Sequence, residues 1–284
     1  MTQPVPDWRA AWLVREAHFP LEIVFTRPRR TAAISLTGSA CALDCAHCGR
    51  RYLHGMSPIE QADVEGATSC LISGGCDARG RVPVLPHLEA VRALRPGRRL
   101  NWHVGLISEE EMRAIAPLVD VISFDFVGDD ETIREVYHLD CTVADYARTY
   151  AMLRRHVPVV PHITIGLRGG QLSGERRAIA LLKELGAETI VFLVLIPTRG
   201  TAFAERTPPP PDQVGELFAE ARQELPDAPI YLGCMRPGGA YRDEVDRLAI
   251  RAGLNRIVNP APGAVALAAE LGLRVVWKDE CCVF

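Results

Sequence analysis

The hydrophobic pattern of the chain alternates between short apolar runs and longer segments of helical periodicity. The short runs are rich in Val, Ile and Leu and predict seven strands, at residues 32–36, 69–73, 100–106, 119–126, 159–167, 189–196 and 230–234, with a weaker eighth at 255–258. Between them, apolar residues recur every three or four positions. This spacing predicts helices at residues 109–117, 144–156, 174–185, 211–225 and 244–252.

Strands that alternate with helices indicate a parallel sheet whose faces are both covered. Seven or eight such units in one chain favour an α/β fold of the (β/α) barrel type, complete or nearly complete, over an open doubly wound sheet. Residues 1–30 are predicted to be a helical lead-in with Trp8 and Trp12 on one face. Residues 31–284 are predicted to form a single barrel domain that ends in a cysteine-containing tail.

Composition and charge narrow the range of functions. The 284 residues are 48% hydrophobic and 24% charged, with a net charge of −3, so no basic surface indicates a nucleic-acid partner. The start of the chain lacks a basic region followed by an apolar run, and the longest apolar stretch, residues 190–197, is far too short to span a bilayer. We therefore expect a cytoplasmic protein that binds neither nucleic acid nor membrane.

Three cysteines, Cys41, Cys45 and Cys48, follow the first predicted strand with gaps of three and two residues. Such a loop can supply three thiolates to one iron–sulfur cube and leave the fourth iron open to a small molecule. The alternative is a zinc site, which normally uses four closed ligands, often as two Cys-x-x-Cys pairs, and no second pair lies nearby. The triplet also falls at the carboxyl end of a strand, where parallel barrels place their chemistry.

This motif in such a barrel resembles the radical S-adenosylmethionine (SAM) superfamily. The resemblance implies a [4Fe–4S] cluster on the triplet, whose open iron chelates SAM and whose reduction yields a 5′-deoxyadenosyl radical that removes hydrogen from carbon. It also implies three groups of SAM contacts. His47 stands where the family usually has an aromatic residue and would pack on the adenine. The glycine-rich motif that meets the methionyl amine corresponds to Ser73, Gly74 and Gly75, and the adenine segment of biotin synthase corresponds to Ile196, Pro197 and Thr198.

Other polar residues near strand ends have two open interpretations. His103, Asp125 and His162 either contact a ligand inside the barrel or are satisfied core residues. The segment with Tyr137, His138 and Asp140 either reaches substrate or is a helical surface. Arg236 either orients a carboxylate or forms a surface salt bridge.

Four further cysteines are not explained by the triplet: Cys76, Cys234, Cys281 and Cys282. Cys76 replaces the usual acidic residue after the glycine motif, and both Cys76 and Cys234 fall at strand ends. If the terminal pair folded over that opening, the four thiols could hold an auxiliary [4Fe–4S] cluster. The alternative is that Cys234 is a core thiol and the terminal pair a free end.

Residues 72–83, residues 232–237 and the terminal Cys-Cys resemble a group of biotin synthase homologues that includes one subunit of the split, two-protein lipoyl synthase. That resemblance implies sulfur insertion into an octanoyl chain on a lipoyl carrier protein, together with a second radical SAM subunit as partner. Two alternatives stay open. One is another biotin synthase-like radical SAM enzyme, a methylase or an enzyme of cofactor biosynthesis, and the other is a non-catalytic subunit that carries a cluster.

Overall fold

A computed structural model describes residues 8–284 and contains one sheet of eleven parallel strands within that range. In chain order the strands are β1 Glu22–Thr26, β2 Thr31–Ser35, β3 Ser57–Pro58, β4 Ser69–Ser73, β5 Arg99–Trp102, β6 Val121–Asp125, β7 Val159–Ile165, β8 Ile190–Val194, β9 Ile230–Leu232, β10 Arg256–Val258 and β11 Arg274–Lys278. Their spatial order is β11-β1-β10-β9-β8-β7-β6-β5-β4-β2-β3.

The order shows that the sheet curls into a nearly complete barrel. Strands β1 and β2 are eight places apart in the sheet, which would separate them by about 38 Å if the sheet were flat. Yet only residues 27–30 connect them, and the five steps from Thr26 to Thr31 span at most roughly 18 Å. The predicted barrel is therefore confirmed, and the chain that follows the edge strand β11 meets β2 across the seam.

Helices cover the outside of the barrel: α1 Trp8–His18, α2 Leu88–Leu94, α3 Glu109–Ile115, α4 Asp130–Val136, α5 Val143–Arg154, α6 Glu175–Glu184, α7 Pro211–Glu224, α8 Gly239–Arg251 and α9 Pro262–Glu270. The five predicted helices correspond to α3 and α5–α8, although α8 begins five residues earlier than expected. Within the described residues, no helix has both the length and the apolarity that crossing a bilayer requires.

The expected helical lead-in over residues 1–30 needs correction where it is described. Trp8 and Trp12 lie on α1 and pack against the core, but β1 then enters the sheet between β10 and β11. Residues 1–7 lie outside the described part of the chain. The lead-in is thus part of the barrel wall, because Ile23 and Phe25 supply fully buried side chains to the core.

Strand alternation separates an apolar outer face from a more polar interior. On β6, Ile122 and Phe124 point outward, and the Phe124 ring lies 6.0 Å from that of Tyr146 on α5. Ser123 and Asp125 alternate with them and therefore point inward. The main hydrophobic core thus lies between sheet and helices, and polar groups on the other face of the sheet line the barrel interior.

Candidate functional site

The cysteine loop is tied to the end of β4 by hydrogen bonds, because β2 and β4 are neighbours and their carboxyl ends meet. The Thr37 hydroxyl donates to the Ala40 carbonyl (2.8 Å) and accepts from the Gly75 N–H (2.7 Å). The Cys76 N–H donates to the Cys41 thiol at 3.3 Å. The glycine motif and the triplet thus form one unit at the carboxyl mouth of the barrel.

Gly75 is required by this close approach. A Cβ on Gly75 would lie 2.0 Å from the Ala40 carbonyl oxygen and 2.6 Å from the Cys41 Cβ, distances that no side chain can occupy without displacing the loop. At Gly74 the nearest atom, the Thr37 hydroxyl oxygen, would be 3.2 Å away. The second glycine of the motif therefore fixes the position of the first cysteine.

The three thiols of the triplet lie close enough to influence each other electrostatically. Burial, followed by the charges of Cys48 and Cys41, raises the pKa of Cys45 to about 12, and burial likewise raises the pKa of Cys48. Among residues 8–284, no three His, Cys, Asp or Glu side chains converge closely enough to hold a single metal ion. Three neighbouring thiols are the kind of donor set that an iron–sulfur cluster takes, each thiolate binding a different iron.

His47 behaves as a neutral aromatic group. Its ring centroid lies 5.4 Å from that of Tyr137 and 6.1 Å from that of Tyr52, and burial lowers its pKa to about 4. Its Nδ1 is buried without a hydrogen-bond partner within the described chain. The neutral imidazole of His47 can therefore take the place of an aromatic side chain at this position. Its unpaired Nδ1 can still hydrogen-bond to a bound group.

The predicted adenine segment lies directly against the cysteine loop. The hydroxyls of Thr198 and Tyr52 are 3.1 Å apart, and the Phe203 N–H donates to the Ala46 carbonyl at 3.1 Å. Ile196, Pro197 and Thr198 are all partly exposed. A cleft of about 450 Å³ lies between the loop and the segment after Thr198, lined among others by Cys45, Arg50, Arg51, Gly200 and Thr201.

His103, Asp125 and His162 lie together inside the barrel. Asp125 and His162 are register partners on β6 and β7, and the His103 and His162 ring centroids are 5.6 Å apart. Burial raises the pKa of Asp125 and lowers those of His103 and His162 to about 4. Of the three side chains, His162 is buried, His103 is half-buried and Asp125 is exposed to the barrel opening.

Of the segment after α4, one residue adjoins the site. The Tyr137 side chain packs on His47, its carbonyl lies 4.0 Å from the Cys45 thiol, and burial raises its pKa. His138 and Asp140 are exposed on the surface. Tyr137 thus belongs to the site, whereas His138 and Asp140 face solvent.

The terminal tail does not fold over the mouth, and that expectation was wrong. The Cys281 N–H donates to the Thr31 hydroxyl (2.9 Å), the Thr68 hydroxyl donates to Glu280 (2.8 Å), and Arg99 pairs with the same carboxylate. These partners stand at or just before the amino ends of β2, β4 and β5. The tail therefore closes the opposite end of the barrel, because β11 delivers it there across the seam.

From below, the tail inserts two thiols into the barrel interior. The Cys281 Sγ accepts from the Asn101 amide at 3.5 Å, and the two Sγ atoms of Cys281 and Cys282 are 3.8 Å apart. The Cys282 Sγ lies 3.9 Å from His162 Nε2. Cys234, two residues after β9, is exposed, and desolvation together with the Cys281 charge raises its pKa.

Cys76 belongs instead to the mouth. Its backbone N–H binds Cys41, and burial together with the charges of Cys41 and Cys45 raises its pKa to about 12. The four unexplained cysteines therefore do not form one group around the mouth. Cys76 adjoins the triplet, Cys281 and Cys282 adjoin each other, and Cys234 is an exposed residue after β9.

Arg236 does not serve as a surface group or a carboxylate clamp. Its guanidinium forms a two-point ion pair with Asp246, at 2.6 and 2.8 Å, and neither side chain is exposed at all. It also donates to the Gly233 carbonyl at 2.7 Å. Arg236 therefore anchors the segment that carries Cys234.

Sequence reasoning missed the polar partners of these sites. Thr37, Tyr52 and Asn101 had no motif to identify them. For Asn101 a signal existed, since it alternates on β5 with the buried Leu100 and Trp102 and so must face the interior.

No protein-family model matches the chain. Over 210 residues it is 28% identical to the biotin synthase of Syntrophotalea carbinolica, a match covering 67% of this chain and 63% of that protein. The chain therefore matches less than two thirds of the length of this relative.

Solved structures share the fold at low sequence identity. Methylornithine synthase (PylB) superposes with a TM-score of 0.68 at 13% identity, covering 95% of this chain and 88% of that one. The hydrogenase maturase HydG from Carboxydothermus hydrogenoformans gives 0.67 at 18%, covering 88% and 62%. Streptococcus suis SuiB bound to S-adenosylmethionine gives 0.53 at 13%, covering 88% and 61%. The protein thus shares the barrel fold of methylornithine synthase, HydG and SuiB, and its sequence is similar to that of a biotin synthase.

Proposed function

We propose that this protein is a radical SAM enzyme that inserts sulfur into an octanoyl chain carried by a lipoyl carrier protein, together with a second radical SAM subunit. The observation that carries the proposal is the unit at the barrel mouth. There, the Cys41, Cys45 and Cys48 thiols lie within one loop and within electrostatic reach of one another, and the Gly75 backbone is held against the first of them. A bound [4Fe–4S] cluster and SAM would supply a 5′-deoxyadenosyl radical at this place.

The remaining groups of the mouth bind and orient the cofactor. The His47 ring, supported by Tyr52 and Tyr137, offers a flat apolar surface for a nucleobase, and the chain at Ile196 to Thr198 borders the same space. The Thr37 hydroxyl, which accepts from the Gly75 N–H, and the Leu36 N–H, which donates to the Ser73 carbonyl, hold the glycine segment in place beside the loop.

The interior suits a long apolar chain that enters from the mouth. Side chains of Val160, Val191, Leu193 and Val258 pack in the small interior cluster beneath the polar groups. From Thr31, beside the tail, to Ser35, below the cysteine loop, β2 rises by about 13 Å. An extended acyl chain of eight carbons fits this depth, and a flexible lysine arm on a carrier would deliver it.

Sulfur insertion is supported by the additional thiols and by the similarity to biotin synthase. Bound to those thiols, an auxiliary iron–sulfur cluster would supply the sulfur. Enclosure of the interior by the tail keeps water away from a carbon radical, which is one of the main contributions of a protein to such chemistry.

The test is a turnover experiment with the anaerobically reconstituted protein, SAM, a reductant and a carrier peptide whose octanoyl chain is deuterated. We expect 5′-deoxyadenosine to contain deuterium and the peptide to gain sulfur, with the partner subunit raising the yield. The matched controls are Cys45→Ala at the mouth and Cys141→Ala at the margin of α5.

Other outcomes would select the alternatives. Deoxyadenosine without deuterium from the octanoyl chain would refute the proposed substrate and favour another biotin synthase-like radical SAM enzyme, a methylase or an enzyme of cofactor biosynthesis. A protein that binds a cluster but never cleaves SAM would indicate a non-catalytic subunit.

A further inference from the structure

The barrel interior is open toward the mouth and closed part of the way down. Asp125 is exposed at the opening, and Leu193, which points inward on β8, is half-buried. Two residues nearer the amino end of the same strand, Val191 has no exposed surface, and its register partner His162 on β7 is only 4% exposed. The space that a ligand can enter from the mouth therefore ends between Leu193 and Val191.

A layer of packed side chains closes the interior at this level, and we call it the barrel floor. It consists of the buried residues Val191, Val258 and Cys282 and of the half-buried residues Val160 and Val283 that pack against them. Strands β7, β8 and β10 and the chain after β11 each contribute to it. Because four of its five members are valines, the floor presents an apolar surface to the interior.

A second space lies beneath the floor. It is a cleft of about 620 Å³ at the amino ends of the strands, and Val160 and Val283 belong to its lining. The same two residues pack in the interior cluster, so each has one side toward the barrel interior and another toward the cleft. The floor is thus a thin partition between the barrel interior and this lower cleft.

The part of the floor that the tail supplies is fixed by hydrogen bonds to the barrel. The Cys281 N–H donates to the Thr31 hydroxyl on β2 at 2.9 Å, and the Arg256 guanidinium on β10 donates to the Cys282 carbonyl. These two strands lie on opposite sides of the seam. The floor therefore moves only if the strands move, and the depth of the interior is a fixed dimension of the barrel.

We propose that the barrel floor sets the longest acyl chain that the interior accepts, with Val160 and Val191 as the residues that determine this length. The inference rests on the proposed function for the acyl chain as ligand. Each methylene buried above the floor should tighten binding about fourfold. A methylene that meets the floor gains no such burial and must displace packed side chains, which lowers affinity. Affinity should therefore rise with chain length to a limit and then fall.

The experiment measures the affinity of Nε-acyl-lysine amides with chains of six, eight, ten and twelve carbons by calorimetric titration, below the concentrations at which they form micelles. The protein is reconstituted and contains SAM but no reductant, so that no turnover occurs. For the wild type, the eight-carbon chain should bind roughly tenfold more tightly than the six-carbon chain, and longer chains should bind no better than eight carbons.

Val160→Ala combined with Val191→Ala removes methyl groups from the floor and should make the ten-carbon chain the tightest ligand, roughly tenfold tighter than its binding to the wild type. The matched control is Val159→Ala combined with Val194→Ala. It makes the same replacements on the same two strands, but on the face that packs against the helices, and should keep the limit at eight carbons.

Leu193→Phe changes the limit in the opposite direction and tests it even if the alanine variant fails to fold. It adds volume above the floor and should move the limit to six carbons. A limit that is absent from the wild type, stays at eight carbons in both floor variants, or shifts equally in the control would overturn the inference. Wild-type protein that binds none of the four amides would instead refute the proposed acyl substrate, so the two failures are distinguishable.

Discussion

Replacement of Gly75 by alanine tests whether the glycine motif positions the triplet. The new Cβ would lie 2.0 Å from the Ala40 carbonyl oxygen, whereas ordinary contact begins at 3.4 Å, so the loop must retreat by roughly 1 Å or more. Metal–ligand distances tolerate only about 0.2 Å. Displacement of Cys41 by several times that amount should abolish stable cluster binding, at a cost in folding stability of about 1–3 kcal/mol.

The assay is the iron and sulfide content of the reconstituted variant, with thermal unfolding as a check that the barrel is folded. Gly55→Ala is the matched control, because a Cβ there has no heavy atom within 4 Å. Gly74→Ala, whose nearest atom would be 3.2 Å away, should retain iron and weaken only SAM binding. If Gly75→Ala binds as much iron as Gly55→Ala, the proposed role of the close approach is refuted.

Three further outcomes follow from the geometry. Asp246→Asn leaves the Arg236 charge buried and unpaired and should lower the free energy of unfolding in urea by about 3–5 kcal/mol. The control Glu220→Gln breaks an exposed pair with Arg176 and should lower that free energy by less than about 1 kcal/mol. Iron uptake by the metal-free protein should accelerate from pH 7 to pH 9, because burial and neighbouring thiolates raise the pKa of Cys45 to about 12 and the thiolate fraction below that pKa grows with pH. His47→Phe should retain SAM affinity in a binding titration, because the ring is already neutral.

For each of these three predictions, a specific result would contradict it. Equal destabilisation by the two acidic replacements would mean that the buried pair contributes no more than an exposed one. Uptake independent of pH would show that thiol deprotonation does not limit loading. Loss of SAM binding in His47→Phe, with iron retained, would assign a polar role to the unpaired Nδ1.

Local pattern was sufficient to predict the barrel and to place the cysteine triplet beside the glycine motif. The alternation of β-branched runs with helical periods predicted parallel strands, because both faces of such a strand are buried. The triplet and the glycine motif could be placed together because carboxyl ends of neighbouring parallel strands always meet. Gly75 and Cys41 are 34 positions apart, yet adjacency of β2 and β4 makes them contact.

The local sequence pattern did not predict the features that depend on how the sheet curls. The apolar run Ile23-Val24-Phe25 in β1 is short and lies among polar residues. It forms a strand because it pairs with β10 and β11. Arg236 reads as a surface charge in the sequence, and its burial depends on Asp246, which reaches it from a different element. Neither the pairing of β1 nor the burial of Arg236 can be inferred from the spacing of nearby residues.

The sequence by itself determined the fold class and the spacing of the cysteine loop, since both follow from periodicity and from residues close together in the chain. Only the tertiary structure decided the place of the terminal thiols. Cys281 contacts Thr31 across 250 positions, a separation at which no local rule acts. Closure of the barrel brings β11 beside β1 and directs the tail beneath the strands. For that reason the last cysteines meet His162 inside the barrel and not Cys76 at its mouth.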